Sequence, residues 1–326
     1  MPLHPPGVDV LRAGLVGLGM MGRNHLRLLG QLEGVEFIGV HDPALTGQVQ
    51  INGHPVHPDL DSLIAERPDY CVVAAPTIFH LELGLRLAEA GIHALIEKPV
   101  APTPDAGLEL VEAFDSAGLI GGVGHIERFN PALRAMRQKL SEGILGNIYQ
   151  ISTRRQGPFP ARITDVGVVK DLATHDIDLT MWVAQSRYAS VSARTAKRSG
   201  RPHEDMVVAV GTLENGIVVN HTVNWMSPFK ERTTIVIGDR GALVADTLTG
   251  DLTFFENGQV NSTWDQVSAF RGVSEGDVTR FALQKVEPLL TEHTVFRDAI
   301  VTGSCDGIVT LREGLAAVEI AEQMLA

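Results

Sequence analysis

The sequence predicts an α/β protein, with an N-terminal doubly wound parallel sheet of the Rossmann type and a C-terminal α+β domain that has a large, mostly antiparallel open sheet. Short apolar runs alternate with segments of helical spacing as far as about residue 125, which is the rhythm of a parallel sheet. Longer β-branched segments follow residue 205 and favour antiparallel strands. Because 326 residues exceed the usual size of one core, we expect two domains, residues 1–127 and 128–326.

In the first half, short apolar runs predict strands, and apolar residues three or four positions apart predict helices. The Ala90-Gly91 step is a typical helix end, and Pro104 suits a first helical turn because its missing N–H is harmless there. The predicted strands are Leu11–Gly17, Val35–Val40, Tyr70–Ala75, Ala94–Ile96 and Leu119–Val123. The predicted helices are Met21–Leu32, Phe79–Ala90 and Pro104–Ala117. We expect the residues before Leu11 to be a disordered lead-in.

After His125 the pattern changes to longer strands. Asn215-Gly216 predicts a hairpin turn, since this pair tolerates positive φ. The predicted strands are Ile148–Arg155, Met206–Leu213, Ile217–Trp225, Arg232–Ile237, Ala242–Asp246 and Leu252–Phe255. The predicted helices are Pro131–Leu140, Asp171–Ala184, Val286–Val301 and Gly307–Leu325. Valines such as Val207, Val219 and Val223 predict a sheet face that packs against a second subunit in a homodimer or homotetramer, the alternative being local helices that cover it.

Composition excludes several classes of protein. Lys plus Arg number 27 and Asp plus Glu number 39, and the resulting charge of −12 repels nucleic-acid phosphates. Cys71 and Cys305 lack CxxC or CxxH spacing, so we expect neither a disulfide scaffold nor a metal site, and a reducing cytoplasm fits. No apolar run approaches the ~20 residues of a membrane helix, and the start MPLHPPGVDV lacks the pattern of a secretory signal.

A glycine-rich loop, Gly17-Leu18-Gly19-Met20-Met21-Gly22, stands between a predicted strand and a predicted helix. Gly17 permits a tight turn, Gly19 lets a pyrophosphate approach the backbone, and Gly22 lets helix and strand pack closely. Free N–H groups at the helix start then bind the phosphates. The predicted cofactor-binding residues of the loop are Gly17, Gly19, Met20, Met21 and Gly22.

Asp42 lies 20 residues beyond Gly22, at the end of the second predicted strand. Its carboxylate there accepts hydrogen bonds from the ribose hydroxyls of a dinucleotide and repels a 2′-phosphate. The pair predicts NAD as cofactor, with NADP less favoured. The alternative is a glycine turn beside a solvated aspartate.

Two further features carry proton-transfer chemistry. Lys98 follows a strand and precedes Pro99, at the sheet edge where ligands of α/β proteins bind, although a surface charge explains it equally well. Asp171 and His175 are four positions apart, so they share one face of a helix, and a carboxylate beside an imidazole suits proton transfer with a hydroxyl. A charged helix with a locally bonded histidine is the alternative.

Together these residues resemble those of the glucose–fructose oxidoreductase, inositol dehydrogenase and rhizopine catabolism (Gfo/Idh/MocA) family. The shared motifs are Gly17–Gly22, Asp42, Ala75-Pro76-Thr77 with His80, Glu97-Lys98-Pro99, and Asp171 with His175. The resemblance implies that Lys98, Asp171 and His175 are catalytic at the nicotinamide, and that the bond before Pro99 is cis. It also implies further cofactor-binding residues, namely Pro76, Thr77, His80, Glu97 and Lys98.

A narrower resemblance is to the UDP-N-acetylglucosamine 3-dehydrogenase group, and it rests on Gly124–Pro131, Thr153–Phe159 and Asp165–Asp171. Arginine guanidinium groups bind diphosphates well, and balancing the acidic surface is their alternative role. The arginines in question are Arg154, Arg155 and Arg162. The predicted substrate-binding residues are Lys98, Arg154, Arg155, Asp171 and His175.

The resemblance implies an NAD-dependent oxidoreductase that moves a hydride between a sugar or nucleotide-sugar hydroxyl and nicotinamide. The expected substrate position is C3 of a UDP-N-acetylhexosamine, and either Lys98 or His175 takes the hydroxyl proton. Three alternatives stay open: a myo-inositol or monosaccharide dehydrogenase, a non-catalytic NAD-sensing regulator, and an NAD-dependent glycosidase of the same fold.

Overall fold

A parallel sheet organises the N-terminal half in the computed structural model, which describes residues 10–45, 47–160, 166–258 and 275–326. Its strands are β1 (Leu11–Val16), β2 (Val35–His41), β3 (Gln50–Ile51), β4 (His54–His57), β5 (Tyr70–Val73), β6 (His93–Glu97) and β7 (Gly121–Gly124). Their order is β3-β4-β2-β1-β5-β6-β7, and every pair except β3–β4 is parallel. The chain winds outward from β1 to one side and then from β5 to the other, which confirms the doubly wound sheet.

The helices of this half begin where the sequence supplies a cap or a proline. Thr103 caps Ala106 N through its hydroxyl, and Pro104 occupies the first helical turn that follows. The helices are α1 (Met20–Leu29), α2 (Leu60–Ala65), α3 (His80–Glu89) and α4 (Pro104–Ala117). The sequence prediction missed β3, β4 and α2, which lie between residues 50 and 65 and are all short.

The second sheet contains the strands β8 (Ile148–Pro158), β9 (Tyr188–Ala196), β10 (Met206–Leu213), β11 (Val218–Asn224), β12 (Met226–Gly238), β13 (Gly241–Asp246), β14 (Asp251–Asn257) and β15 (Glu275–Arg280). Their order is β15-β14-β13-β12-β8-β11-β10-β9, and only β8 and β11 pair in parallel. The large, mostly antiparallel sheet is therefore confirmed. Gly216, in the turn between β10 and β11, has a φ of +85°, as the Asn-Gly pair predicted.

The four remaining helices are α5 (Pro131–Ser141), α6 (Thr174–Ala184), α7 (Pro288–Thr302) and α8 (Leu311–Leu325), as far as the structure describes the chain. The described residues within 1–126 and 287–319 form one compact unit, and those within 127–286 and 320–326 form the other. The division at residue 126 lies next to the expected boundary, but α7 belongs to the first unit rather than to one continuous domain 128–326.

Packing explains why α7 returns to the first sheet. The Phe296 ring meets Tyr70 of β5 edge-on at 5.6 Å between centroids, and a Cβ built on Gly122 of β7 would lie 2.8 Å from the Phe296 ring. Periodicity identifies a helix with one apolar face, but it does not say which sheet that face covers.

Buried and exposed side chains alternate along the strands of the second sheet, as expected when only one of its faces is covered. This alternation corrects the expectation of which valines face a second subunit. Val207, Val219 and Val223 are fully buried, so they face the covered side rather than a second subunit. Their neighbours Val208 and Val218 are 45% and 50% exposed on the open side. No helix among the described residues has both the length and the apolar character needed to cross a membrane. The expected lead-in, residues 1–9, lies outside the described part of the chain.

Candidate active site

The loop after β1 has the geometry that a dinucleotide pyrophosphate requires. Gly17 has a φ of +91°, and a Cβ there would lie 2.7 Å from the backbone of Ala74 and Ala75. A Cβ on Gly22 would lie 2.2 Å from the Gly17 carbonyl oxygen, so neither position admits a side chain. A Cβ on Gly19 would meet no atom within 4 Å, so the start of α1 is open there. These glycines fit a phosphate held by N–H groups of the helix start.

Asp42 contacts the glycine loop directly. Its Oδ2 accepts a hydrogen bond from Leu18 N at 2.6 Å, and its Oδ1 accepts one from Ala44 N at 2.7 Å. A carboxylate has about four acceptor positions, so two remain for the hydroxyls of a ribose. At the helix start, Met20 is 50% exposed and Met21 is half-buried. The predicted cofactor-binding residues of this edge therefore lie together.

Lys98 lies at the carboxyl end of β6, and its peptide bond to Pro99 is cis, as the family resemblance implied. The side chain of Lys98 is half-buried, whereas the preceding Glu97 is only 7% exposed. Glu97 Oε2 accepts the backbone N–H of Lys98 at 3.2 Å. Burial alone would raise the pKa of Glu97, but a hydrogen bond from the His25 ring and the charge of Lys98 outweigh that effect and lower it. Glu97 is thus held as a carboxylate under the turn.

His80 is buried beneath two loops and acts on them through their backbone. Its Nδ1 lies 3.0 Å from the Pro99 carbonyl oxygen and its Nε2 lies 2.9 Å from that of Ala75. Burial lowers the pKa of His80, while the two carbonyls oppose that shift. The side chain is 1% exposed, which does not fit the expected contact with a cofactor. Pro76 is exposed and Thr77 is half-buried, so these two residues are accessible, as is the half-buried Lys98.

Asp171 and His175 lie on consecutive helical turns, the first a π-helical turn and the second an α-helical turn. Asp171 is in a π-helical turn, Val169–Ala173, which leads directly into α6 with His175 in its first turn. The sequence predicted one regular helix from Asp171, and the wider turn is the difference. Asp171 is 8% exposed and His175 is half-buried. Single π-turns of this kind are frequent at functional sites.

Glu204 holds the π-helical turn in place. Its carbonyl oxygen accepts a hydrogen bond from Val168 N, and its Oε1 accepts one from Val169 N, both at 3.0 Å. A Cβ built on Gly167 would lie 2.0 Å from the Glu204 carboxylate, so Gly167 leaves the room that this carboxylate occupies. The two N–H groups at the start of the turn are therefore satisfied by one residue.

Two buried arginines fasten α6. Arg128 donates to Asp178 through Nε at 2.8 Å and through Nη2 at 2.6 Å, a bidentate pair. Arg155 of β8 donates from Nε to Asp176 at 2.9 Å and from Nη1 to Glu127 at 2.7 Å. Although burial opposes it, the charges of Asp176 and Glu127 raise the pKa of Arg155, which stays protonated. The helix with the candidate histidine is thus held at two of its acidic residues.

Of the expected diphosphate-binding arginines, the two that the structure describes, Arg154 and Arg155, do not lie on the same face of β8. Arg155 is 4% exposed and donates to internal carboxylates, so a role in substrate binding does not fit its position. Arg154 has an exposed side chain, 3.8 Å from Glu231, and projects from the opposite face of β8 because successive strand residues alternate. Arg162 and Asp165, which the sequence analysis also singled out, lie outside the described residues.

Sequence reasoning missed the residues that support these sites. His25, three positions after Gly22 on α1, bonds to Glu97, and His293 bonds to His25. Glu204 binds the π-turn from 35 positions away. The available signal was weak: a histidine on the phosphate-binding helix, and a Glu-His pair in the middle of an apolar helix face.

Comparison with known proteins defines the class first. Residues 11–125 match the model of an oxidoreductase family with an NAD-binding Rossmann fold, and residues 133–244 match the GFO/IDH/MocA C-terminal domain. The chain belongs to the Gfo/Idh/MocA family of oxidoreductases.

Individual relatives narrow the comparison. The UDP-N-acetylglucosamine 3-dehydrogenase of Acidithiobacillus ferrooxidans is 29% identical over 95% of this chain and 96% of its own length. Its solved structure covers 96% of both chains with a TM-score of 0.82 at 24% identity. Inositol 2-dehydrogenase 2 of Saccharopolyspora erythraea is 32% identical, but over only 64% of this chain and 65% of its own. The WlbA dehydrogenase of Bordetella pertussis, solved with NADH and UDP-GlcNAcA, has a TM-score of 0.77 at 23% identity and covers 97% of this chain and 95% of its own.

Proposed function

We propose that this chain is an NAD-dependent dehydrogenase that oxidises the C3 hydroxyl of a UDP-N-acetylhexosamine. The observation that carries the proposal is the similarity to a UDP-N-acetylglucosamine 3-dehydrogenase along 95% of the chain. The similarity to inositol 2-dehydrogenase 2 covers only 64% of the chain. The substrate would be a small molecule bound in the cytoplasm, where the two free cysteines, Cys71 and Cys305, stay reduced.

The residues at the edge of the first sheet fit NAD. We assign the pyrophosphate to the N–H groups of the loop from Gly17 to Gly22 and the ribose hydroxyls to Asp42. The Asp42 carboxylate repels a 2′-phosphate, which favours NAD over NADP. Pro76, Thr77 and the Glu97–Lys98 turn complete the set. When bound, the nicotinamide supplies the hydride acceptor.

Protein residues supply the proton chemistry. Lys98 and His175 are the two candidates for accepting the hydroxyl proton, and a protonated Lys98 stabilises the developing alkoxide. Asp171, on the π-helical turn, orients and supports the imidazole of His175. These roles make Lys98, Asp171 and His175 the proposed catalytic residues.

The proposal is tested by NADH absorbance with UDP-N-acetylglucosamine as substrate. We expect wild-type turnover, and a loss of at least about a thousandfold in kcat for Lys98→Ala with NAD affinity nearly unchanged. The control is Lys139→Ala, which should keep full activity because Lys139 lies on α5 and pairs with Glu142. Unchanged turnover in both Lys98→Ala and His175→Ala would refute the assigned roles.

An inositol or other monosaccharide dehydrogenase is the second candidate, favoured by the 32% identity to an inositol 2-dehydrogenase. Thermal-shift titration separates the two substrates. Stabilisation by UDP-sugars and not by myo-inositol supports the first proposal, and stabilisation by myo-inositol alone supports the second.

We also propose that the open face of the second sheet pairs with a second copy of the chain. A row of apolar residues crosses β12, β13, β14 and β15 on this face. Ile237 pairs with Ala242, Ala242 pairs with Phe255, and Phe255 pairs with Val278. The exposed members of the row are Ile237, Phe255 and Val278. Val210 is 56% exposed on the same side. A row of exposed apolar residues across several strands is typical of a subunit interface.

A further inference from the structure

A cluster of four buried titratable side chains lies inside the first unit, next to the Lys98 turn. Its members are His25 on α1, Glu97 at the end of β6, and Glu292 with His293 on α7. They are 0%, 7%, 2% and 1% exposed, respectively. Burying four such groups is costly unless they bind one another, so their arrangement needs a physical reason.

Three of the four form a hydrogen-bonded chain that ends on the backbone of Lys98. His293 Nε2 lies 2.9 Å from His25 Nδ1, and His25 Nε2 lies 2.9 Å from Glu97 Oε1. The other oxygen of Glu97 accepts the Lys98 N–H at 3.2 Å. A Cβ built on Gly124 would lie 3.0 Å from the Glu97 carboxyl carbon, so the carboxylate is also confined from the side of β7.

Donor and acceptor counting fixes the direction of the hydrogen bond between His25 and Glu97. Because the Glu97 carboxylate only accepts, His25 carries its proton on Nε2. For the second bond we assign the Nε2–H of a neutral His293 as donor to His25 Nδ1, 2.9 Å away. Burial lowers the pKa of His293 well below its ordinary value, which agrees with a neutral ring. His293 Nδ1, which has no hydrogen-bond partner among the described residues, is then a bare lone pair rather than a stranded donor.

Glu292 fits the same scheme as a neutral acid. Burial, and next the charge of Glu97, raise the pKa of Glu292 well above its ordinary value. A protonated Glu292 leaves Glu97 as the charged carboxylate of the cluster, and His25 therefore donates to Glu97.

We propose that His25 and His293, acting through Glu97, are positioning residues that fix the peptide of Lys98. The proposal rests on the proposed function, in which Lys98 is the catalytic lysine. The proposal gives α7 a role that its position in the sequence does not suggest. This helix comes from the C-terminal part of the chain but belongs to the first unit, and its His293 begins the hydrogen-bonded chain that ends at Lys98. The buried face of α7, with Leu289 and Phe296 on either side of the Glu-His pair, delivers His293 to that place.

The test is amide hydrogen exchange of Lys98 in the protein without cofactor, with three variants. His293→Leu keeps most of the volume but removes the donor to His25, and we expect the Lys98 amide to exchange at least about tenfold faster. His293→Gln restores an N–H near the place of Nε2 and should return exchange to within about threefold of wild type. His93→Ala, at the opposite end of β6, removes the acceptor for Ile120 N and should leave Lys98 unchanged.

Kinetics give the second readout. We expect His293→Leu to lower kcat about tenfold or more at an unchanged KM for NAD, because a slightly misplaced lysine slows the chemical step while the glycine loop is untouched. His293→Gln should recover most of kcat. A uniform loss in His293→Leu, His293→Gln and His93→Ala would indicate general destabilisation and overturn the proposal.

Wild-type protein supplies a check that requires no variant. Nitrogen NMR should show His25 protonated on Nε2, and protonation on Nδ1 alone would overturn the proposal. The chain could lack dehydrogenase activity while its Lys98 amide still exchanges faster in His293→Leu. That result supports the positioning role, although the proposed function fails. Normal activity with unchanged exchange and unchanged kcat in His293→Leu overturns the positioning role and leaves the function standing.

Discussion

Gly19, directly before α1, and Gly22, in the first turn of α1, differ in what surrounds them, and the difference separates folding from ligand binding. A Cβ on Gly22 would lie 2.2 Å from the Gly17 carbonyl oxygen, whereas a Cβ on Gly19 would meet nothing within 4 Å. Gly22 is therefore required by the protein itself. Nothing in the described fold requires Gly19, so a ligand that approaches the backbone is the remaining physical reason for it.

Gly19→Ala should therefore leave the free energy of unfolding within about 0.5 kcal/mol of wild type, yet weaken NAD binding by about tenfold or more. Calorimetric titration with NAD and urea unfolding measure the two effects. Gly22→Ala is the matched variant and should lose more than about 2 kcal/mol of stability. Wild-type NAD affinity in Gly19→Ala would contradict the placement of the pyrophosphate.

A single buried histidine predicts how stability depends on pH. His221 lies between the Thr153 hydroxyl at 2.7 Å and the Tyr188 hydroxyl at 2.6 Å, and burial lowers its pKa to about 4. Between pH 6.5 and 4 the unfolded chain binds a proton at His221 that the folded chain does not, so the contribution of His221 to stability falls as the pH drops through this window and is constant above it. The loss from this group approaches about 3 kcal/mol at pH 4.

Urea unfolding of wild type and His221→Gln at pH 7 and pH 4.5 checks this dependence. All other ionisable groups are the same in the two proteins, so the difference between the two curves reports His221. We expect the variant to lose less stability on acidification. Parallel losses in the two proteins would show that His221 does not resist protonation.

At the scale of elements, α6 depends on ion pairs with residues far away in the sequence. Arg155 donates to Asp176 and Glu127, while its neighbour Arg154 is exposed and 3.8 Å from Glu231. We expect Arg155→Met to cost about 3–5 kcal/mol, because it strands two buried carboxylates, and Arg154→Met to cost at most about 0.5 kcal/mol. Chemical denaturation of the two variants compares them directly. Equal losses would contradict the assigned burial.

Local signals predicted most elements, and the misses have physical causes. The Asn215-Gly216 turn and the Pro104 helix start were visible because backbone requirements select those residues. β9 was missed because its sequence, YASVSARTA, has few large apolar residues, and pairing with β10 makes it a strand. The π-turn before α6 was missed because Glu204, distant in sequence, stabilises it.

At the scale of the whole molecule, the open face of the second sheet predicts the assembly. Val210→Glu should weaken or abolish the proposed dimer, since the introduced charge would be buried in its interface without a partner. The matched control is Val301→Glu on α7, because Val301 is likewise exposed, at 52%. Light scattering should give a lower mass for Val210→Glu than for the control. A monomeric wild-type protein would contradict the assigned interface.

The doubly wound parallel sheet and the placement of Lys98 at its carboxyl edge were predictable, because loop glycines and strand ends are encoded locally. The supports of the site were not, since Arg155 bonds to residues 21 and 28 positions away and His25 bonds to one 268 positions away. Whether an arginine faces a ligand or an internal carboxylate depends on such distant partners. This explains why the motifs predicted the family, whereas they did not show that Arg155 faces internal carboxylates.

The most direct test of the proposed reaction uses UDP-N-acetylglucosamine that carries deuterium at C3. If the chain moves a hydride from that carbon to nicotinamide, mass spectrometry will find one deuterium in each NADH formed and a C3 ketone in the sugar. Deuterium that stays in the sugar while NAD is reduced would contradict oxidation at C3. No reduction of NAD with this substrate would contradict the account as a whole.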